Sequence, residues 1–298
     1  MNESVFDTIS AAYYELTAAE KKTADFIMAN RGRCQYLSIA ELAEYSGVAE
    51  ATVSRFCRRL GYKGFNAFRL ALANAAFSLT PETGLLSGPV ERTDSFEQMC
   101  QKLYTADQAA MYQTLEMLDS DRIRQAADML FAARRVVCMG QGGSMLLAQD
   151  AAHLFSTVSG KFSAVADSHI QVMTAVNMTS DDVILFFSFS GATKDLIDTM
   201  QTARERGVRT LLITRFLKSP GALLADLALP CGANESPLQL GSVPAKIAQL
   251  FLVDVLFSEY CRRDPDSCLQ SRERLAGALE AKHLRNIDYW NYSTNNDG

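Results

Sequence analysis

The chain has 298 residues, 48% hydrophobic and 21% charged, with a net charge of −5; this is ordinary globular usage and enough for two domains of about 150 residues each. Its longest charge-free run, Val136 to Gln149, is broken by glycines and polar groups, and its first ten residues hold two acids and no base, so neither a membrane span nor a secretory signal is expected. The seven cysteines form no Cys-x-x-Cys pair, and His153, His169 and His283 show no ligand spacing; no disulfide framework or metal site is expected, and a reducing cytoplasm fits best.

Residues 17–78 read as all helix. Thr17-Ala-Ala-Glu20 and Ser38-Ile-Ala-Glu41 are capping boxes, each setting a side-chain acceptor and a reciprocal carboxylate at a helix start. Ala24, Ile27 and Met28 follow the first box at helical spacing, and Ile39, Leu42 and Ala43 follow the second. Gly47 breaks the pattern before a third helix with Val53, Phe56, Cys57 and Leu60 on one face. A further helix runs from Phe65 to Phe77. Pro81, Gly84, Gly88 and Pro89 then mark a linker over 80–93.

Beyond it, helices are expected at 94–118 and 121–132. Apolar strands then alternate with helices: strands at 135–139, 161–166, 182–187, 208–214 and 226–230, and helices at 145–158, 168–178, 194–206 and 243–262. Apolar strands in that alternation predict a parallel sheet covered by helices on both faces. Residues 266–285 read as helix, and the asparagine-rich stretch from Ile287 reads as a frayed tail. The expected architecture is α + α/β: a helix-turn-helix domain over 1–79, the linker, an α/β domain over 94–265, and a terminal helix and tail over 266–298.

Two features carry chemistry. The net charge hides an asymmetry: residues 1–77 hold nine basic against eight acidic residues, and within 49–69 five basic residues face only Glu50. A basic stretch on an acidic chain suits a polyanion. Ser38 to Leu60 fits a helix-turn-helix, and its second helix turns outward Glu50, Ala51, Thr52, Ser54, Arg55 and Arg58. Hydroxyls and guanidiniums suit phosphates and base edges. With Arg59 and Lys63 added, the DNA-contacting candidates are Thr52, Ser54, Arg55, Arg58, Arg59 and Lys63. The same pattern fits a helical dimerisation unit with a solvated basic face.

The second feature is a pair of turns, Gly140-Gln-Gly-Gly-Ser144 and Ser188-Phe-Ser-Gly-Ala-Thr193, each directly after an apolar strand. There a helix N-terminus offers backbone N–H groups and its dipole to an anion. The first turn lacks the third glycine of a dinucleotide fingerprint, with no acid expected at the matching place after the second strand, and no lysine makes it a P-loop. A sugar or phosphate is the better fit.

Leu16 to Ile27, Ala51-Thr-Val-Ser-Arg-Phe-Cys-Arg-Arg-Leu-Gly61 and Gly64-Phe65 closely resemble the RpiR/MurR family of bacterial transcriptional regulators. The second half resembles the sugar isomerase (SIS) domain those regulators carry, and together the matches cover 16–265. The resemblance implies a repressor or activator on a double-stranded DNA operator, with a dimerising or higher-order SIS domain that senses a phosphosugar, no cofactor and no catalytic residues. Its phosphosugar contacts fall on Ser144, Ser188, Ser190, Gly191 and Thr193, with Thr214 as a pocket wall. His169 either reaches the sugar or is an ordinary helix-start residue, and Glu235 falls where SIS proteins often place a sugar-binding carboxylate. Where the family commonly has serine before the recognition helix, this chain has Ala49; a lost N-cap hydroxyl typically costs ~1 kcal/mol, and weaker DNA binding is expected. An aldose–ketose phosphosugar isomerase on the same fold is the alternative, with His153, His169 and Glu235 as acid/base candidates. A structural interaction protein is a third reading, against which the intact Ser188-x-Ser190-Gly191-x-Thr193 argues.

Overall fold

A computed structural model describes residues 4–79, 90–233, 235, 241–280 and 282. The first half holds α1 (Val5–Ala12), α2 (Ala18–Ala29), α3 (Ile39–Ser46), α4 (Glu50–Arg59) and α5 (Phe65–Leu79). The two capping boxes form as expected: Glu20 accepts from the Thr17 N–H and hydroxyl at 2.9 and 2.8 Å, and Glu41 does the same for Ser38 at 2.9 and 3.0 Å. Helix α1 lies before the first helix expected from the sequence. It is held by Val5, Phe6 and Ile9, which join Ile27, Leu42, Val53, Phe56, Phe68 and Leu72 in one buried cluster.

The second half opens with α6 (Phe96–Glu116) and α7 (Ser120–Ala132). It continues through β1 (Arg135–Gly140), α8 (Gly143–Ser156), β2 (Phe162–Val165), α9 (Ser168–Val176), β3 (Asp182–Phe187), α10 (Lys194–Glu205) and β4 (Arg209–Thr214). It closes with α11 (Pro220–Leu224), β5 (Leu227–Pro230), α12 (Val243–Cys261) and α13 (Pro265–Glu280). All five strands are parallel, in the order β2-β1-β3-β4-β5. Successive strand residues face opposite sides, which gives two cores. Val136, Cys138, Leu185, Phe187, Leu211 and Ile213 pack under α7, α8 and α12. Val137, Met139, Ile184, Phe186 and Leu212 pack under α9 and α10.

Some expectations need correction. The short helix α11 was not foreseen, because Pro220-Gly221 reads as a turn; Ser219 caps it and proline takes its first turn. An acid, Asp167, does close β2, but its carboxylate accepts from the Ile170 N–H at 3.0 Å and so caps α9. Residues 80–89 of the expected linker and the tail from Ile287 lie outside the described residues. Among the described residues no helix is long and apolar enough to cross a membrane.

Two stability predictions follow from this packing. Phe155, fully buried on α8, stacks on Phe162 at 4.5 Å and meets Phe257 and Tyr260 edge-on at 5.2 and 5.3 Å. Phe155→Ala should cost about 3–5 kcal/mol, read as a lower urea midpoint. Burial opposes ionisation of Glu20, yet hydrogen bonds from Thr17 and Arg59 more than offset it and hold this carboxyl below its ordinary value of 4.5. Its contribution is therefore present above that value and lost as the pH falls through the lower folded value. Glu20→Gln keeps the capping box and should flatten the acid limb of N-terminal unfolding followed by circular dichroism.

Candidate functional site

The N-terminal unit turns a basic helix outward. Gly47 ends α3 at φ 65°, a left-handed conformation that glycine takes without strain. Ala49 then starts α4 with no side-chain cap, as the sequence implied. Val53, Phe56, Cys57 and Leu60 are buried, leaving Arg55, Arg58 and Lys63 exposed and Ser54 half-buried. Two candidates are engaged within the chain. Thr52 is buried, its hydroxyl accepting from Arg55 at 3.3 Å. Arg59 donates to Glu20 on α2 at 3.2 Å and to the Glu15 carbonyl at 3.4 Å, with its side chain still 45% exposed.

In the sheet domain, β1 and β3 are neighbours whose chains leave toward opposite sides, the point where doubly wound sheets open a ligand crevice. Both serine–glycine turns end there. Gly140 is obligatory, since a Cβ would fall 2.7 Å from the Ser144 backbone. Gly191 sits at φ 60°, and a Cβ there would fall 2.0 Å from the Ser219 hydroxyl oxygen. The Ser188 hydroxyl accepts from the Gly191 N–H at 3.1 Å, and that of Ser190 accepts from Ala192 at 3.3 Å. Thr193 caps α10 by position but makes no side-chain cap bond.

These turns open on a cleft of about 480 Å³. Ser144, Ser188, Ser190, Thr193 and Glu235 all line it. Gly191 lies buried behind Ser190. Two other residues fall elsewhere. Thr214 is fully buried beneath the second turn, donating to the Phe189 carbonyl at 3.2 Å, so it supports the turn rather than walling the pocket. His169 is exposed and lines a separate groove with Asp195 and Asp198. Within one chain it does not join the serines.

Three contributors were not read from the sequence. Lys246, on the first turn of α12, lines the cleft and is its one basic residue among the described residues, beside the acid Glu235. Gln249, one turn on, lines it too, with a buried amide oxygen that has no partner among the described residues. Gln171 is buried on α9 and donates to the carbonyls of Gly140 and Val165 at 3.0 and 2.8 Å, bracing the first turn. None has a local motif, since each depends on which helix face the sheet covers. Glu235 accepts from the Gly241 and Ser242 N–H groups. Burial pushes its carboxyl up from the ordinary range, while those two donors and the charges of Arg69 and Lys246 pull it back in part. Among the described residues no group of three or more His, Cys, Asp or Glu is placed to hold a metal.

A helix-turn-helix unit joined to a doubly wound sheet with a hydroxyl-lined crevice defines a DNA-binding protein with a sugar-isomerase-type second domain. Comparison with known proteins agrees. A helix-turn-helix domain of the rpiR family matches residues 4–78, and the SIS domain matches 129–259. An HTH-type transcriptional regulator of Haemophilus influenzae is 30% identical over 95% of this chain and 98% of its own length. One from Caldanaerobacter subterraneus is 31% identical over 91% and 95%. The solved structure of the NanR protein of Vibrio vulnificus complexed with ManNAc-6P aligns with a TM-score of 0.80 at 25% identity, covering 94% of this chain and all of the other. The chain belongs to the rpiR family of HTH-type transcriptional regulators that carry a SIS domain.

The arginines on α4 separate by role. Arg55→Ala and Arg58→Ala should each weaken operator binding and lower the salt-dependence slope by about one unit if they contact phosphates. Arg59→Ala should instead lower N-terminal stability with little change in that slope. Binding titrations across a salt series distinguish the three.

Proposed function

We propose that this regulator controls sugar-metabolism genes and that its SIS domain senses a phosphosugar in the serine-lined cleft. The observation that carries this reading is the convergence of four hydroxyls, from Ser144, Ser188, Ser190 and Thr193, on one crevice beside the N-termini of α8 and α10. Hydroxyl donors and helix ends are the chemistry of phosphate binding. Glu235 and Lys246 across the cleft suit the hydroxyls of a sugar ring. The structural neighbour, solved with the sugar phosphate ManNAc-6P, supports the same effector class.

The protein acts on a double-stranded operator in the cytoplasm, as a homodimer or higher homo-oligomer, and not as an enzyme. Exposed Ile170, Met173 and Val176 along α9 offer apolar surface for a second copy. A two-fold assembly reads two half-sites one helical turn, or a multiple, apart. An isomerase needs a base beside the reacting carbon, whereas Glu235 is engaged by two backbone donors and His153 and His169 do not line the cleft.

A thermal-shift panel of hexose, pentose and amino-sugar phosphates, ManNAc-6P included, tests the effector class, since a ligand at a hundred times its Kd adds ~2.7 kcal/mol of stability. Ser190→Ala removes one donor and should fold like the parent. A hydrogen bond to a charged group is worth about 1.5–3 kcal/mol, so effector affinity should drop roughly tenfold or more, with effector-free operator binding unchanged. Equal phosphosugar sensitivity of variant and parent would take Ser190 out of the site.

A further inference from the structure

We propose that Arg215 is the positioning residue that transmits the state of the serine-lined cleft to the DNA-binding half, an inference that rests on that cleft being the effector site. Arg215 directly follows β4. Its backbone N–H donates at 3.0 Å to the Phe189 carbonyl, which also accepts from the Thr214 hydroxyl. Phe189 stands between Ser188 and Ser190, so the second serine turn is bonded to the Arg215 backbone. The Phe189 and Phe216 rings meet edge-on at 6.0 Å, and the Arg215 guanidinium lies over the Phe216 ring at 5.5 Å. The two turns are therefore one packed unit.

The side chain reaches two further places. Its Nε donates to the Ala233 carbonyl at 3.1 Å, two residues before Glu235 on the opposite wall of the cleft. Its Nη1 lies 3.8 Å from Oε1 of Glu41, on the first helix of the helix-turn-helix. One guanidinium thus touches a strap bordering the cleft and the DNA-binding unit, while its own backbone holds the other border.

The strap is built to respond as a block. Ala233 is buried at φ 73°, a left-handed conformation that a residue with a Cβ keeps only when its neighbours hold it there. Its N–H donates to Gln113 at 3.1 Å and its carbonyl accepts from Arg215. The preceding Gly232 donates to Thr114 at 2.9 Å, and a Cβ there would fall 2.7 Å from the Gln113 Cβ. Pressed against α6, the strap cannot slide. A ligand drawing on the second serine turn therefore acts on the Phe189 carbonyl, and through it on Arg215, whose guanidinium is shared between the fixed Ala233 carbonyl and Glu41. A further contact across the domains, Lys218 to Glu44 at 2.7 Å, has both side chains more than half exposed, so salt screens it and it is worth little.

The variants are E41Q, R215A and the double mutant in the full-length protein. Glutamine serves in a capping box as glutamate does, so E41Q keeps the start of α3 and removes only the charge facing Arg215. Without ligand, E41Q should speed amide exchange at Gly191 and Ala233 several-fold, and should have no further effect in the R215A background. No change, or the same change in both backgrounds, overturns the relay. With ManNAc-6P and the rest of the phosphosugar panel, E41Q should bind both the sugar phosphate by calorimetry and a DNA fragment from upstream of its own gene as the parent does. The sugar's effect on DNA affinity, about 5–150-fold for ordinary coupling, should shrink below about twofold. A parental response in E41Q overturns the relay. If no phosphosugar binds the parent, the effector reading fails instead, and the exchange measurement alone decides the role of Arg215.

Discussion

Gly140 at the end of β1 pairs in register with Phe187 at the end of β3, and from that pairing the chain departs in two directions. β1 leads through α8 to β2 on one side, and β3 leads through α10 to β4 on the other. The first turns of α8 and α10 consequently approach the same point, each with N–H groups that no earlier residue of its helix can accept. The crevice follows from strand order, and the serines and threonine of the two turns line it. The demands on residues follow as well: Gly140 so that Ser144 can close over it, Gly191 so that Ser219 can stand beside it.

Much of this was legible because it is local. Both capping boxes, the Gly47 turn, the buried face of α4 and the apolar strands are patterns within a few residues, and the structure has them where periodicity and capping chemistry indicate. What escaped depends on contacts between distant segments. Lys246 stands 56 residues after Ser190, on another element, and lines the same cleft. Thr52 looked outward on spacing alone, yet it is buried, and the bond from Arg59 to Glu20, 39 residues earlier, could not be read locally. His169 follows a strand as a site residue should, but α9 turns it toward Asp195 and Asp198.

The uncapped start of α4 can be placed on the same energy scale. Replacing a serine cap by alanine costs about 1 kcal/mol, while fully burying one large apolar side chain is worth about 1.5–3 kcal/mol. Helix α4 buries Val53, Phe56 and Cys57 in ten residues, so its position is held by packing rather than by its cap. The missing cap at Ala49 therefore does not decide whether the helix forms.

The contacts between the two halves are weak for a reason that fits their task. Arg215 and Glu41 are about a quarter exposed and 3.8 Å apart, and ion pairs of that kind typically contribute 0–1 kcal/mol. The hydrogen bond from Arg215 to Ala233 adds about 1 kcal/mol, and the left-handed backbone of Ala233 works against it by about 1–3 kcal/mol. None of these quantities exceeds the 1–3 kcal/mol by which one site ordinarily influences another. A large buried interface would lock the domains together beyond the reach of a small ligand, whose differential affinity sets the limit of any shift it causes. A few polar contacts that nearly balance a strained peptide leave the arrangement within range of the hydrogen bonds a sugar phosphate can make or withdraw.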